Sequence, residues 1–113
     1  MPRVSVIIPA YNAAATIAGT VESVIAQTVQ DFEIICVDDG SSDATPAIVK
    51  KFGQRVRLVE QANSGPAAGR NNGARHSSGE YLAFLDADDV WMPQFLERSV
   101  AALDADPALS LAY

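Results

Sequence analysis

One cysteine, one histidine and two lysines stand in a chain of 113 residues. The single cysteine excludes an intramolecular disulfide framework and a multi-cysteine zinc site. The single histidine, His76, falls near the end of a helical stretch, a place that does not suit a Ser/His/Asp nucleophilic set. Basic charge is scarce too: eight Lys and Arg face fourteen Asp and Glu, for a net charge of −6. That is the wrong sign for a general nucleic-acid binder. No apolar run approaches the roughly 18–20 residues of a membrane span. The early apolar run ends in Pro9-Ala10-Tyr11-Asn12, not in a small-residue cleavage site, so it does not read as a secretory signal. A soluble protein of a reducing, cytoplasmic compartment is expected, with a peripheral place at the inner face of a membrane as the variant of that reading. Glycine is missing from the turn after the first apolar run, and with it the G-x-G-x-x-G dinucleotide fingerprint. A G-x-x-x-x-G-K-[ST] phosphate loop is absent as well.

What is present alternates between two periods. Val4-Ser5-Val6-Ile7-Ile8, Phe32-Glu33-Ile34-Ile35-Cys36-Val37, Val56-Arg57-Leu58-Val59-Glu60 and Tyr81-Leu82-Ala83-Phe84-Leu85 read as strands. The third is more polar and fits an edge. Between them, apolar residues recur at helical spacing. Ile17, Val21, Val24, Ile25 and Thr28 mark a helix over 14–28. Ile48, Val49 and Phe52 mark a second, capped by Ser42 or Asp43 and ended at Gly53. A third opens at Pro66, capped by Ser64 or Gly65, and runs to about His76. A fourth starts at Pro93 and carries Phe95, Leu96, Ser99, Val100 and Leu103. Leu109-Ser110-Leu111-Ala112-Tyr113 reads as the beginning of a fifth strand. Short connections between alternating strands and helices imply an α/β fold, a Rossmann-like, mostly parallel sheet with helices on both faces. In such sheets ligands bind beyond the carboxyl ends of the strands.

The unusual residues collect at those ends. Asp86-Ala87-Asp88 follows the fourth strand, and extended backbone turns positions i and i+2 to one side. Two carboxylates there form a hard oxygen site suited to Mg²⁺ or Mn²⁺ shared with ligand phosphates. A solvated acidic turn, with Asp88 or Asp89 capping the next helix, is the plainer alternative. Asp38-Asp39-Gly40-Ser41-Ser42 follows the second strand, where a carboxylate can accept a ligand N–H or hydroxyl. A turn plus helix cap explains those residue types equally well. Asn63-Ser64-Gly65-Pro66 points a helix N-terminus at the same end of the sheet, a place for a phosphate or carboxylate. Arg70, one turn further in, would pair with a ligand phosphate, with Asp39 or only with solvent. Cys36 reads as a small buried residue and His76 as solvent-facing. Trp91 would line a sugar pocket or pack against the fourth helix.

Four segments together carry a resemblance to the family 2 glycosyltransferases, whose nucleotide-sugar-binding fold is called GT-A. They are Val4-Ser5-Val6-Ile7-Ile8-Pro9-Ala10-Tyr11-Asn12, Glu33-Ile34-Ile35-Cys36-Val37-Asp38-Asp39-Gly40-Ser41-Ser42-Asp43, Asn63-Ser64-Gly65-Pro66-Ala67-Ala68-Gly69-Arg70-Asn71 and Gly79-Glu80-Tyr81-Leu82-Ala83-Phe84-Leu85-Asp86-Ala87-Asp88-Asp89. The resemblance implies transfer of a sugar from a nucleotide-diphosphate sugar, UDP-linked by family tendency, to an acceptor hydroxyl with inversion. Pro9, Ala10, Tyr11 and Asn12 would lie beside base and ribose. Asp39 would hydrogen-bond the nucleobase, and Gly65 and Arg70 would lie near the base or diphosphate. Asp86 and Ala87 would approach the ribose, and Asp88, with Asp86, would bind the divalent metal, Mn²⁺ or Mg²⁺.

In the family, the catalytic base lies well downstream of the D-x-D segment. The resemblance therefore leaves no catalytic residue here. It makes 1–113 a single donor-binding domain truncated before the acceptor-binding half, with the acceptor glycan or lipid-linked sugar unassigned. Weak nucleotide binding, no complete transfer cycle and self-association through the truncated face are the expectations that follow. Two rival readings compete with this one. Leu85-Asp86-Ala87-Asp88-Asp89-Val90 also fits the first motif of haloacid-dehalogenase-type phosphatases, but the lysine that chemistry needs downstream is missing, both lysines being at 50 and 51. A non-catalytic nucleotide-binding module is the other.

Overall fold

A computed structural model describes residues 2–106. Four strands, β1 (Val4–Ala10), β2 (Phe32–Asp39), β3 (Arg57–Gln61) and β4 (Tyr81–Phe84), form one parallel sheet in the order β3-β2-β1-β4. Helices α1 (Ile17–Ile25), α2 (Thr45–Lys50), α3 (Pro66–Arg75) and α4 (Phe95–Ala105) connect and flank the strands, with a 3₁₀ turn at Gly53–Arg55. The α/β class, the parallel pairing and the edge position of β3 are as the sequence implies. The fifth strand expected over 109–113 lies outside the described residues.

The two faces of the sheet are filled differently. Val4, Val6, Ile8, Ile34 and Cys36 point to one side, and pack with Ile17, Val21 and Val24 of α1, Val49 of α2 and Leu96 of α4. The alternate residues point to α3, which brings almost no apolar side chains to the contact. Its buried residues are Gly69 and Gly73, one turn apart. A Cβ on Gly73 would collide with the Ile7 side chain and stand 3.2 Å from Val37. The helix backbone therefore rests directly on β1 and β2, which places its N-terminus close over the strand ends.

Several boundaries differ from expectation. Helix α1 starts at Ile17 rather than residue 14, after a turn over 14–16; the amides of Ala13 and Ala14 just before and in it donate to Thr45 Oγ1 (2.9 Å) and Asp43 (3.1 Å). Ser42 and Asp43 do not occupy the cap position of α2, which is Ala44. Asp43 still satisfies the first turn by accepting the Thr45 N–H at 3.0 Å. Gly65, not Ser64, caps α3, and Pro66 is its first residue. Helix α4 begins at Phe95 rather than Pro93. No helix among the described residues is long and apolar enough to cross a membrane.

Candidate functional site

The carboxyl ends of all four strands open into one cleft of about 530 Å³. Its walls are Pro9, Ala10, Tyr11, Asn12, Ala13 and Thr16 from the β1–α1 region, Asp39 at the end of β2, Asn63, Gly65 and Pro66 before and at the start of α3, and Asp86, Ala87 and Asp88 after β4. Every residue assigned to the donor or metal from the sequence lines this cleft, except Arg70. Arg70 is half-buried on α3 and forms no ion pair among the described residues. Its pairing with Asp39 is pre-empted, because that carboxylate is already surrounded by donors.

Asp39 is 5% exposed. Its Oδ1 accepts the Ser64 N–H at 2.7 Å and the Gln61 amide at 2.9 Å. Its Oδ2 accepts the Gly65 N–H at 3.0 Å and the Asn63 amide at 3.4 Å. Gln61 is oriented in turn by Asn72 of α3, 2.9 Å away. Burial pushes the Asp39 carboxyl up, but the bonds from Gln61, Ser64 and Gly65 outweigh it and hold it below the usual carboxylate range. Asp39 orders the β3–α3 turn and also lines the cleft. Gly40 permits the close approach of that turn. It has φ +73°, and a Cβ there would stand 2.9 Å from the Asn63 nitrogen.

On the opposite wall, Asn12 adopts φ +48°, a left-handed conformation Asn tolerates better than most residues. Its N–H donates to Ser41 Oγ at 2.9 Å, and its Oδ1 accepts the Ser42 N–H at 2.9 Å. This zips the β1–α1 loop to the β2–α2 loop and leaves Tyr11 exposed beside the cleft.

Asp86 and Asp88 are exposed with Ala87 buried between them, but not on the extended backbone the sequence suggests: the chain turns at 87–88, and the Asp89 N–H donates to the Asp86 carbonyl at 3.1 Å. Asp89 joins them: each of the three offers a carboxylate oxygen, all within 4.8 Å of one another. None of them caps α4, whose cap position is Gln94. No basic side chain lines the cleft.

The remaining candidates fall away from the site. Trp91 stacks on Phe95 with ring centroids 4.5 Å apart, so it packs against α4. His76 is half-buried, not solvent-facing, and its Nδ1 lies 2.8 Å from the Asn72 carbonyl. Cys36 is fully buried, and burial, with a smaller contribution from the Asp38 charge, pushes its thiol up to about 12, which excludes a thiolate nucleophile. What sequence reasoning missed is the polar stripe of α1. Thr16 and Thr20 both donate to the Ala87 carbonyl, at 2.9 and 2.8 Å. The signal was in the sequence as polar residues at helical spacing beneath an apolar periodicity.

The sequence matches the family model "Glycosyl transferase family 2" over residues 5–112. It is 36% identical over 118 residues to glycosyltransferase GlyA of Streptococcus pneumoniae, covering 98% of this chain and 17% of that protein. It is 39% identical over 102 residues to the Escherichia coli UDP-Glc:alpha-D-GlcNAc-diphosphoundecaprenol beta-1,3-glucosyltransferase WfgD, covering 88% of this chain and 40% of that one. The chain thus spans well under half the length of these relatives. Among solved structures, the S. aureus TarS 1-349 complex with UDP-GlcNAc superposes with TM-score 0.85 at 32% identity, over 93% of this chain and 32% of that one. The mannosyltransferase PcManGT from Pyrobaculum calidifontis, in complex with GDP-Man and Mn²⁺, gives 0.88 at 33%, over 96% and 34%. The fold is therefore the GT-A fold that the motifs imply. By its sequence, over almost its whole length, the chain belongs to glycosyl transferase family 2.

Proposed function

We propose that residues 1–113 are the donor-binding domain of a glycosyltransferase that takes a sugar from a nucleotide-diphosphate donor, UDP-linked, and passes it to an acceptor hydroxyl with inversion. The observation that carries this reading is the cleft itself. Three carboxylates (Asp39, Asp86 and Asp88) and no Lys, Arg or His line it. A diphosphate placed among those charges would be repelled. A divalent cation offsets most of that charge, and the three hard-oxygen donors of Asp86, Asp88 and Asp89 within 4.8 Å of one another fit Mn²⁺ or Mg²⁺. Asp88 and Asp86 would hold it. Bound there, such an ion offsets negative charge on a departing diphosphate.

The protein's own residues supply the rest of the grip. Asp39 accepts an N–H of the base on Oδ2, where its longest bond, 3.4 Å from Asn63, is the one a ligand donor displaces most readily. Tyr11, with Pro9, Ala10 and Asn12, covers base and ribose. Gly65, whose own N–H is held by Asp39, brings bare backbone to the cleft wall beside Pro66. Arg70, expected near the base or diphosphate, does not line the cleft itself. The acceptor site and the base that deprotonates the acceptor belong to chain outside these residues. The solved neighbours in complex with UDP-GlcNAc and with GDP-Man and Mn²⁺ support a nucleotide-sugar ligand with a metal.

Calorimetric titration of UDP and of GDP, each with and without Mn²⁺, tests the reading on wild type and Asp88→Ala. Mn²⁺-dependent binding, tighter for UDP and lost in the variant, is the expected result. Tighter GDP binding overturns the uridine assignment alone. Binding indifferent to metal and variant points to a non-catalytic nucleotide module instead.

A further inference from the structure

Four polar residues of the first helical segment fall on one stripe at spacings of four, three and four: Thr16, Thr20, Ser23 and Gln27. Each engages the main chain of one segment, the loop that carries the acidic residues and leads into α4. Thr16 Oγ1 and Thr20 Oγ1 both donate to the Ala87 carbonyl. Ser23 Oγ accepts the Trp91 N–H at 3.1 Å. Gln27 donates to the Met92 carbonyl at 2.8 Å and accepts the Leu96 N–H at 3.0 Å. Thr20 and Gln27 are 1% and 2% exposed, so these are buried bonds made at the cost of desolvating polar side chains.

We propose that Thr16 and Thr20 are positioning residues for cation binding: by clamping the Ala87 peptide they preset the spacing of Asp86 and Asp88. The inference rests on the metal reading above. A carbonyl oxygen has two lone pairs, and two hydroxyls occupy both. The plane of the Ala87–Asp88 peptide is thereby fixed, and with it one backbone dihedral on each side, ψ of Ala87 and φ of Asp88. Without a cation, three carboxylates within 4.8 Å repel one another and favour a splayed loop. A clamp on the one buried residue between two exposed acids opposes that splaying, so the ordering cost is met on folding and not on binding. Ser23 and Gln27 anchor the loop further along; of the four side chains only the two threonines touch a peptide between the acids, the other peptide being held within the turn by the Asp89 N–H on the Asp86 carbonyl.

The test is Mn²⁺ affinity, read from the electron paramagnetic resonance of free Mn²⁺, for the 113-residue chain with Mn²⁺ alone and with Mn²⁺ plus UDP. Thr20→Val keeps the shape and deletes the donor, and Thr20→Ser keeps the donor. Expected are about a tenfold loss of Mn²⁺ affinity in Thr20→Val, a larger loss in the Thr16→Val/Thr20→Val double variant, and recovery in Thr20→Ser. Should Thr20→Val fail to fold, Thr16→Val, at an exposed position, carries the measurement. Lowered melting temperature with unchanged Mn²⁺ affinity in the valine variants overturns the inference and leaves a purely structural contact. Failure of the metal reading looks different: wild type then binds no Mn²⁺, or binds it regardless of Asp88→Ala, and the inference falls with it.

Discussion

The backbone N–H of Ser64 lies 2.7 Å from Oδ1 of Asp39, joining the end of β2 to the turn that precedes α3. With Gly65 bonded to the other oxygen, one carboxylate fixes two consecutive amides and so the direction in which α3 leaves the sheet. Asp39→Asn puts an amide nitrogen against one of those donors. Faster hydrogen exchange at Ser64 and Gly65 is expected, together with weaker nucleotide binding. The pH dependence has a definite sign. Because the folded carboxyl is held below its ordinary value of 3.8, its stabilising contribution is complete above that pH and is lost as pH falls through the folded value. Acid unfolding curves of wild type and Asp39→Asn should therefore converge below about pH 3.8. Parallel curves down to full acid unfolding would remove Asp39 from this role.

Two glycines separate close packing from helix propensity. Gly73→Ala drives a methyl into Ile7 and against Val37, and α3 must lift off the sheet. A loss of about 1–3 kcal/mol is expected, seen as a lower urea midpoint at unchanged slope. Gly19, inside α1, has nothing within 4 Å of a Cβ and no unusual backbone angle. Gly19→Ala should stabilise by about 0.5–1 kcal/mol, the gain of Ala over Gly in a helix.

The contrast shows what a linear sequence reveals and what it hides. Strands were legible because β-branched runs such as Val4-Ser5-Val6-Ile7-Ile8 have few other uses, and the acidic cluster because Asp86, Asp88 and Asp89 are neighbours in sequence; the turn that gathers them, closed by the Asp89 N–H on the Asp86 carbonyl, replaces the extended backbone that period-two geometry suggests. Gly69 and Gly73 contribute no hydrophobic signal, so the face of α3 that meets the sheet carries no apolar stripe to find. Arg70 was placed on the right helix, yet whether a long side chain reaches a cleft depends on the docking of that helix. The α1 stripe stayed hidden for a different reason. Its partners are main-chain atoms of residues 87–96, and any residue type would offer them. The pairing exists only once β4 lies beside β1.

Cys36 gives a probe of global opening. The residue is fully buried in the central strand β2, and its thiol is pushed up to about 12. Native protein should not react with a disulfide reagent at mildly alkaline pH, while the denatured chain reacts at its one cysteine. The labelling rate in intermediate urea should track the fraction unfolded seen by circular dichroism. Rapid labelling of the folded chain would mean that β2 opens locally.

At the far end of the sheet, Glu33 makes a testable clamp. Its Oε2 accepts the Ser5 hydroxyl at 2.5 Å and the Ser78 N–H at 2.7 Å, while Ser5 Oγ accepts the Gly79 N–H at 2.7 Å. One carboxylate thus ties the start of β2 to β1 and to the turn that leads into β4. Burial pushes the carboxyl up, and the bonds from Ser5 and Ser78 outweigh it, so it titrates below its ordinary 4.5. Its contribution is complete above that pH and declines as pH falls through the folded value. Glu33→Gln keeps the shape and removes the charge, and should cost about 1–2 kcal/mol at neutral pH. The gap to wild type should narrow below about pH 4.5 as the wild-type carboxyl takes up its proton. This clamp lies away from the cleft, so Mn²⁺-dependent UDP binding by the folded variant should stay at the wild-type level. A variant that loses nucleotide affinity while remaining folded would show that the two ends of the sheet are coupled.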